Sequence, residues 1–298
     1  MESPLVCIVD IDLLESRSKI LNLNINFAEI QSLKAAKENR LGTVQFIQAG
    51  KCKDLSPGTL NPKNSKYILD NLNFGITECL KNKKVGLVTG PIQKSNIIEG
   101  GFKTFQGHTE WIQKRTKSKN VVMLLSAKNI KVALATTHIP LTEVAKNIRK
   151  AKLVETIQTL HSGLKTKFKI KHPSITVLGL NPHAGENGKI GTEEIKKINP
   201  AVKVCRDMGI NASYAISADT AFTAKKLKQT DVYLAMYHDQ ALPVLKALSF
   251  GEAVNITLGT GIVRTSVDHG TALDIAGKMK PNLGSIKEAI KAAEVQLK

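Results

Sequence analysis

Three histidines lie at the ends of apolar, strand-like runs: His138 in ALATTHIP, His183 in VLGLNPHAGENG and His238 in YLAMYHDQALP. Each run is bounded by proline, glycine or a polar cluster, which is typical of a short buried strand. Ligands of open α/β sheets bind beyond the carboxyl ends of the parallel strands, and neutral imidazole is the commonest metal ligand in proteins. A single histidine after a strand is more often a hydrogen-bonded structural residue. Three in equivalent positions favour a metal site that the fold assembles.

Two further segments place cations and hydrogen-bond donors after apolar runs. In GPIQK (90–94), a Gly-Pro turn precedes Lys94, which faces either an anion or solvent. In GHTEW (107–111), Thr109 is the predicted N-cap of a helix, and His108 lies beside it. Because the N-terminal amides of a helix attract anions, the second segment predicts a phosphate site.

The C-terminal third holds three polar side chains at intervals of nine residues, Lys246, Asn255 and Arg264. This spacing is not that of a helix face, but it places one such group near each successive element. Arg264 follows the turn GTGIV, where a guanidinium can bind a carboxylate or phosphate through two parallel hydrogen bonds. GTGIVR lacks the third glycine of a dinucleotide-binding loop, so no Rossmann site is predicted. Within 267–282, His-Gly-Thr-Ala is predicted to begin a helix.

The composition is that of a globular protein with reduced thiols. Hydrophobic residues make up 42% of the 298 residues, and no apolar run reaches the roughly 20 residues that span a bilayer. The four cysteines are scattered, and MESPLVCIVDIDLLES lacks the basic region of a signal peptide. We therefore expect a cytoplasmic protein that does not contact membranes.

The net charge of +18 attracts anions to the surface. The lysines are dispersed, however, and aromatic residues make up only 4% of the chain, so few side chains can stack on bases. We therefore expect no nucleic-acid partner. A basic surface that serves an anionic small-molecule substrate fits better.

Strand-like runs alternate with amphipathic helical stretches, which predicts an α/β fold with a largely parallel sheet. The eight predicted strands are PLVCIV, TVQFIQA, KVGLVTG, NVVMLLS, KVALATT, SITVLGL, DVYLAMY and AVNITLG. The predicted helices cover 65–81, a stretch from Thr142 as N-cap through Leu160, a stretch from Thr192 to Gly209 that Pro200 kinks or divides, and a last one from about Ser285.

Eight segments of the chain, in this order, resemble the 4-hydroxythreonine-4-phosphate dehydrogenase family of vitamin B6 synthesis. They are VTGPIQKSNI, FQGHTEW, ALATTHIPL, GLNPHAGENGKIGTEEI, ADTAF, LAMYHDQALPVLK, VNITLGTGIVRTSVDHGTALDIAGK and PNLGSI. The resemblance runs from about Val85 almost to the C-terminus, and NPHAGE, YHDQ and RTSVDHGTA make it specific. It implies an α/β, two-lobed fold like that of isocitrate and isopropylmalate dehydrogenases, with largely parallel sheets and a cleft between the lobes.

The resemblance also implies a divalent metal (zinc, magnesium or cobalt), NAD or NADP, and a homodimer whose active site lies at the subunit interface. The implied metal ligands, contributed by both subunits, are His138, His183 and His238. The implied substrate-binding residues are His108, Thr109, Lys246, Asn255 and Arg264. Asp219, in the ADT segment, and Lys246 are the implied catalytic residues. HGTALDIAGK is similar to the adenosine-binding loop of the isocitrate dehydrogenase relatives, which makes the cofactor candidates His269, Thr271, Ala272 and Asp274.

The implied reaction is the NAD(P)-dependent oxidation of 4-phosphooxy-L-threonine in pyridoxal 5'-phosphate biosynthesis. Its product, 2-amino-3-oxo-4-(phosphooxy)butanoate, decarboxylates to 3-amino-2-oxopropyl phosphate. An alternative is the dehydrogenation of D-threonate or D-erythronate 4-phosphate, which also carry a phosphate, a hydroxyl and a carboxylate. A second alternative is a catalytically impaired module that binds metal and phosphometabolites. A basic nucleic-acid binder would require salt-sensitive binding that does not depend on the histidines.

The whole chain is predicted to be a single catalytic unit. One lobe comprises about 1–107 and 250–298, and the other about 108–249. Members of the family usually begin with a strand and a Gly-Asp-Pro-Ala-Gly-Ile-Gly-like loop, whereas PLVCIVDIDLLES already resembles the second strand and its following helix. We therefore expect a version that lacks the first strand and loop, with reduced stability and activity.

Overall fold

The computed structural model describes residues 2–54, 56–128, 130–249 and 252–298. Within these ranges the strands form two sheets. The smaller sheet is entirely parallel, with the order β1-β3-β2. Its strands are β1 (Val6–Val9), β2 (Asn26–Glu29) and β3 (Thr43–Gln48).

The larger sheet has seven described strands in the order β4-β10-β9-β5-β6-β8-β7. They are β4 (Gly86–Thr89), β5 (Val122–Ala127), β6 (Ile130–Leu134), β7 (Ile175–Val177), β8 (Val232–Ala235), β9 (Val254–Leu258) and β10 (Val263–Val267). The pairs β4–β10, β6–β8 and β7–β8 are parallel, and the central pairs β10–β9, β9–β5 and β5–β6 are antiparallel. Taken together, the two sheets contain more parallel than antiparallel strand pairs, as predicted.

All eight predicted strands are present, and the structure adds β2 and β10, which the sequence analysis did not predict. β10 follows the glycine-rich turn, and all five of its residues are buried. Its sequence, VRTSV, places an arginine and two hydroxyl residues between two valines. Fully buried strands are normally continuous apolar runs, so the polar residues of β10 prevented its prediction as a buried strand.

The described helices flank the two sheets. They are α1 (Ile11–Ile20), α2 (Ser65–Lys81), α3 (Lys94–Glu99), α4 (His108–Thr116), α5 (Leu141–Asn147), α6 (Lys150–Lys167), α7 (Asn199–Asp207), α8 (Ala224–Gln229), α9 (His238–Ser249) and α10 (Gly284–Leu297). No helix in the described ranges combines the length and apolar character needed to cross a membrane.

Two helix predictions need correction. The predicted helix that begins at Thr142 is two helices, α5 and α6, because Ile148 and Arg149 are extended. α5 begins at Leu141 after Pro140, so Thr142 is a helical residue and not the N-cap. At Pro200, where a kink or a division was predicted, the helix is irregular but not divided: the π-helical turn Glu194–Ile198 leads directly into α7, and the proline occupies the first turn of α7.

The main core lies between the large sheet and the helices α6 and α7. α6 contributes Leu153, Ile157, Leu160 and Leu164, which recur at helical intervals and are at most 2% exposed. Burial of each such side chain stabilises the fold by roughly 1.5–3 kcal/mol relative to exposure. The division of the chain into two lobes stays a prediction.

Gly100 ends the helix α3, which begins at Lys94, and the chain packs closely around it. A Cβ atom on Gly100 would lie 2.1 Å from Ser65 Oγ and 2.5 Å from the carbonyl oxygen of Pro62. Because a backbone oxygen cannot rotate away, we expect Gly100→Ala to lower the free energy of unfolding by about 1–3 kcal/mol. Urea denaturation measures this loss.

Gly90→Ala is the matched control, because a Cβ atom on Gly90 would meet no heavy atom within 4 Å. Its stability should be unchanged or up to about 1 kcal/mol higher, since alanine restricts the unfolded chain. Equal urea midpoints for Gly100→Ala and the wild type would contradict this description of the packing.

Candidate functional site

Arg264 lies on β10, the second strand of the large sheet, between the edge strand β4 and β9. Its side chain is 2% exposed. Nη2 donates a hydrogen bond to Thr89 Oγ1 of β4 (2.8 Å), and Nη1 donates to Thr257 Oγ1 of β9 (3.0 Å). The buried Nε has no hydrogen-bond partner among the described residues. Both bonded partners are neutral hydroxyls, so the positive charge remains available to an anion.

Burial lowers the pKa of Arg264 to about 10, while the negative charge of Glu110 opposes that shift. An ionised group inside a protein is costly unless an opposite charge or hydrogen bonds compensate it. The two threonine hydroxyls compensate only part of this cost. Arg264 is therefore a candidate receptor for a carboxylate or phosphate.

His108 and Thr109 begin the helix α4 close to this cation. Gly107 is the N-cap, with φ 148°, and the helix starts at His108. The prediction that Thr109 caps the helix is therefore wrong; Thr109 is its second residue. Burial, together with the charge of Arg264, lowers the pKa of His108 to about 3. His108 is thus a neutral imidazole that offers a hydrogen bond without a second positive charge.

The structure brings His138 and His238 together, as their positions after strands predict. They follow β6 and β8, which are parallel neighbours, and the backbone N–H of Thr136 continues the pairing by donating to the Met236 carbonyl. The two imidazole centroids are 5.6 Å apart. Burial lowers the pKa of His138, and the charges of Lys94 and His238 lower it further. His238 Nδ1 is 2.7 Å from Asp239 Oδ1, which leaves its Nε2 facing away from that carboxylate.

His183 is not part of this pair within one chain. It lies in the segment Pro182–Gly188 after β7, and its charge contributes to the lowered pKa of Asp219, for which the hydrogen bond from Ser217 is the largest cause. Among the described residues, no three His, Cys, Asp or Glu side chains form a group that could hold a metal. A single chain therefore presents His138 with His238 in one place and His183 with Asp219 in another.

Lys246 and Asn255 supply further polar groups near β9 and β10. Lys246 Nζ, on α9, is 3.2 Å from Asp268 Oδ2, and both side chains retain solvent exposure. Asn255 lies on β9 opposite Ser266 of β10, and its buried Oδ1 has no partner in the described structure. A buried acceptor without a partner costs free energy, which a ligand hydroxyl or ammonium group can recover.

The segment with the cofactor candidates is a loop and not the predicted helix. His269, Ala272 and Asp274 are exposed, and Thr271 Oγ1 donates to Gln93 Oε1 (3.2 Å). Ala272 has a left-handed φ of 45°, and only the short 3₁₀ turn Leu273–Ile275 follows it. Left-handed backbone cannot continue into an α-helix, which is why the predicted helix does not form.

Gln240, for which no role was predicted from the sequence, links two histidine segments. Its Oε1 accepts the N–H of Met236 (2.7 Å), and its Nε2 donates to the carbonyl of Gly179. It therefore fixes the turn before His238 relative to the chain that leads to His183. The signal was present in YHDQ, where a glutamine with a fixed spacing follows the histidine.

These features define a class of α/β protein with a buried arginine held by threonine hydroxyls and with two histidines, His138 and His238, brought together after parallel strands. Comparison with known proteins identifies the family: the family model for the pyridoxal phosphate biosynthetic protein PdxA matches residues 1–293. The chain belongs to this family. The match begins at residue 1, so the likeness is not confined to the region after Val85 in which the motifs were found.

Curated relatives named 4-hydroxythreonine-4-phosphate dehydrogenase resemble the chain over nearly its whole length. The protein from Enterobacter sp. (strain 638) is 45% identical over 97% of this chain and 88% of its own. The protein from Chromobacterium violaceum is 45% identical over 98% of this chain and 88% of its own.

Solved structures confirm the predicted fold class. The structure of 4-hydroxythreonine-4-phosphate dehydrogenase from Klebsiella pneumoniae has a TM-score of 0.89 at 30% identity, and covers 100% of this chain and 91% of its own. The structure from Burkholderia phymatum has a TM-score of 0.83 at 33% identity, with coverages of 97% and 87%. A terephthalate 1,2-cis-dihydrodiol dehydrogenase shares the fold alone, with a TM-score of 0.67 at 20% identity.

The pKa of His108 predicts a stability that depends on pH. The unfolded chain protonates this imidazole near pH 6.5, whereas the folded chain does so only near pH 3. Between these values the unfolded chain binds more protons, so the free energy of unfolding falls as the pH falls from 6.5 towards 3. Between pH 7 and pH 5 the wild type should lose about 1–2 kcal/mol more than His108→Gln.

Urea denaturation at the two pH values measures this difference. His172→Gln, at an exposed position that leaves His108 in place, should lose stability as the wild type does. If His108→Gln follows the wild type between pH 7 and pH 5, the buried neutral imidazole is not the cause.

Proposed function

We propose that the protein oxidises 4-phosphooxy-L-threonine with NAD or NADP and thereby serves pyridoxal 5'-phosphate biosynthesis. The observation that supports this most is Arg264, a cation that is buried among neutral partners and close to His108. The proposed substrate carries a phosphate and a carboxylate, and the guanidinium of Arg264 is suited to bind either group. The product, 2-amino-3-oxo-4-(phosphooxy)butanoate, loses carbon dioxide to give 3-amino-2-oxopropyl phosphate.

The anionic groups of the substrate would bind to Arg264 and to the first turn of α4. His108 donates a hydrogen bond as a neutral imidazole, and Thr109 adds a hydroxyl near the helix N-terminus. Asn255 Oδ1, which lacks a partner, accepts a hydrogen bond from the amino or hydroxyl group of the substrate. Together these contacts orient the carbon that is to be oxidised.

His138 and His238 fit a divalent metal ion such as zinc, magnesium or cobalt. Two imidazoles on one tetrahedral zinc have centroids about 5 Å apart, given zinc–nitrogen distances near 2 Å, and the observed separation is 5.6 Å. Asp239 fixes the His238 ring through Nδ1, which is the usual outer partner of a ligating histidine. A bound metal lowers the pKa of the substrate hydroxyl.

We propose that the third ligand, His183, comes from a second copy of the chain, because His183 and Asp219 lie apart from the other two histidines. Exposed apolar residues flank both histidine segments: Leu141 is 71% exposed and Ile195 is 52% exposed. A homodimer interface that buries them would supply His183 and Asp219 to the partner's site.

In this arrangement Asp219 accepts the proton of the substrate hydroxyl, because the hydrogen bond from Ser217 keeps its carboxylate ionised. Lys246, held by Asp268, places a positive charge beside the oxygen as the carbonyl forms. His269, Thr271, Ala272 and Asp274 would hold the adenosine half of the nicotinamide cofactor, which accepts the hydride.

We also propose a cytoplasmic location. Cys7, Cys52, Cys79 and Cys205 are all free, as expected in a reducing compartment.

Turnover of 4-phosphooxy-L-threonine tests the proposed activity directly. With Co²⁺ or Zn²⁺ present, the purified protein should reduce NAD or NADP, as followed by the absorbance of the reduced cofactor. Exhaustive chelation should abolish turnover, and added metal should restore it. Faster turnover of D-threonate or D-erythronate 4-phosphate would assign a different substrate, and binding of substrate without any reduction would indicate a module that has lost catalysis.

Mixed dimers test the proposed sharing of metal ligands between chains. Dimers of His183→Ala alone or His138→Ala alone should have almost no activity, because every site lacks one ligand. A dimer of one chain of each kind contains one intact site out of two, so it should recover up to about half of the wild-type activity. Co-expression with two affinity tags isolates this species. No recovery in mixed dimers, with both chains folded, would contradict the shared site.

A further inference from the structure

The segment that carries His183 has an unusual backbone. Six consecutive residues have left-handed φ angles: His183 (51°), Ala184 (50°), Gly185 (81°), Glu186 (44°), Asn187 (55°) and Gly188 (89°). Left-handed backbone is unfavourable for His183, Ala184 and Glu186, whereas glycine and asparagine adopt it more readily. Such a run persists only where the surrounding structure holds it, and it is typical of functional sites. Some group must therefore stabilise this left-handed turn.

Glu194 is that group. Its side chain is 2% exposed. Oε1 accepts the backbone N–H groups of Leu180 (2.7 Å) and Asn181 (2.8 Å), and the Asn181 Nδ2 donates to Oε2 (3.0 Å). These bonds secure the chain immediately before the left-handed turn. Hydrogen bonds from backbone N–H groups to a carboxylate are stronger than those between neutral groups.

The same carboxylate also packs against the middle of the turn. A Cβ atom on Gly185 would lie 2.6 Å from Glu194 Oε2, so only glycine allows this approach. Glu194 begins the π-helical turn Glu194–Ile198, and π-helical turns are frequent at functional sites. The extra residue of a π turn changes the direction in which the side chains at its start point.

We propose that Glu194 is a positioning residue for His183: its buried carboxylate holds the left-handed turn in the conformation that presents the His183 imidazole to a divalent metal. This inference rests on the proposed role of His183 as a ligand. Glu194 itself touches neither metal nor substrate. It acts by fixing the backbone on which the ligand stands, before any metal binds.

Glu194→Gln is the informative substitution, since it preserves the shape of the side chain. The amide has one acceptor oxygen and two donor hydrogens, so it cannot accept all three hydrogen bonds that the carboxylate accepts. Glu193→Gln is the matched control. Glu193 also accepts from Asn181 Nδ2 (2.8 Å), but its loss leaves the two backbone bonds to Glu194 intact.

Two measurements on the full-length protein separate positioning from a general loss of stability. In the metal-free protein, amide hydrogen exchange of residues 182–188 should be at least about tenfold faster in Glu194→Gln than in the wild type, with the amides of β5 unchanged. Titration with Co²⁺, followed by its absorption spectrum, should give about 10- to 100-fold weaker binding. At saturating Co²⁺ the kcat of the variant should approach the wild-type value. Glu193→Gln should change both readouts much less.

His183→Ala, titrated in parallel, tests the role of His183 as a ligand separately from the positioning role of Glu194. If His183→Ala loses Co²⁺ affinity while Glu194→Gln retains wild-type exchange and affinity, the positioning role is overturned and the ligand role stands. If His183→Ala keeps wild-type affinity, the ligand role fails and the inference fails with it. Faster exchange in β5 together with a lowered kcat at saturating Co²⁺ would show a merely structural role and would also overturn the proposal.

Asn181→Ala covers the case in which Glu194→Gln does not fold. It removes the hydrogen bonds from Asn181 Nδ2 to Glu194 Oε2 and to Glu193 Oε2, and it leaves both backbone bonds to the Glu194 carboxylate. Faster amide exchange of residues 182–188 and weaker Co²⁺ binding, both smaller in size than in Glu194→Gln, support the proposal. Wild-type exchange and affinity in Asn181→Ala would overturn it.

Discussion

The rest of the site depends on one buried charge, the guanidinium of Arg264. β10 runs between β4 and β9, so Thr89 and Thr257 reach the guanidinium from both sides and hold it in place. Neither threonine neutralises the charge, the negative charge of Glu110 opposes the lowering of its pKa only in part, and a buried cation that is incompletely compensated is costly. The proposed anion receptor therefore lies on β10, between β4 and β9 of the large sheet. The neutral imidazole of His108 fits this arrangement, because a second cation at the same place would raise the cost further.

The histidines follow from the order of the strands. β6 and β8 are parallel neighbours, so the residues after their carboxyl ends, including His138 and His238, meet at one edge of the sheet. His183 follows β7, which is the edge strand beyond β8, and its left-handed turn directs it elsewhere. Completion of a three-histidine site by a second chain agrees with this geometry and with the exposed apolar residues beside both segments. The proposed anion site, in contrast, uses residues of one chain.

Much of the fold could be predicted from the sequence, because each predicted strand is an apolar run between glycine, proline or polar residues. β10 was missed because Arg264 and its hydroxyl neighbours interrupt that pattern, and Arg264 is the residue that we propose binds the substrate anion. The predicted helix at His269 fails at Ala272, whose left-handed backbone no propensity indicates. The residues that hold the histidine segments in place could not be predicted either. Gln240 contacts Gly179, 61 residues away in the sequence, and such contacts depend on tertiary packing and not on a local sequence pattern.

Affinity measurements with two ligands on two variants test most directly whether Arg264 binds the phosphate of the substrate. Calorimetric titration compares 4-phosphooxy-L-threonine with 4-hydroxy-L-threonine, which lacks the phosphate, on the wild type and on Arg264→Gln. A charge-assisted contact in a buried site is worth about 2–3 kcal/mol, so the phosphate should raise the affinity of the wild type by roughly 30-fold or more. In Arg264→Gln most of that preference should disappear. An undiminished preference for the phosphorylated ligand in folded Arg264→Gln would contradict the account.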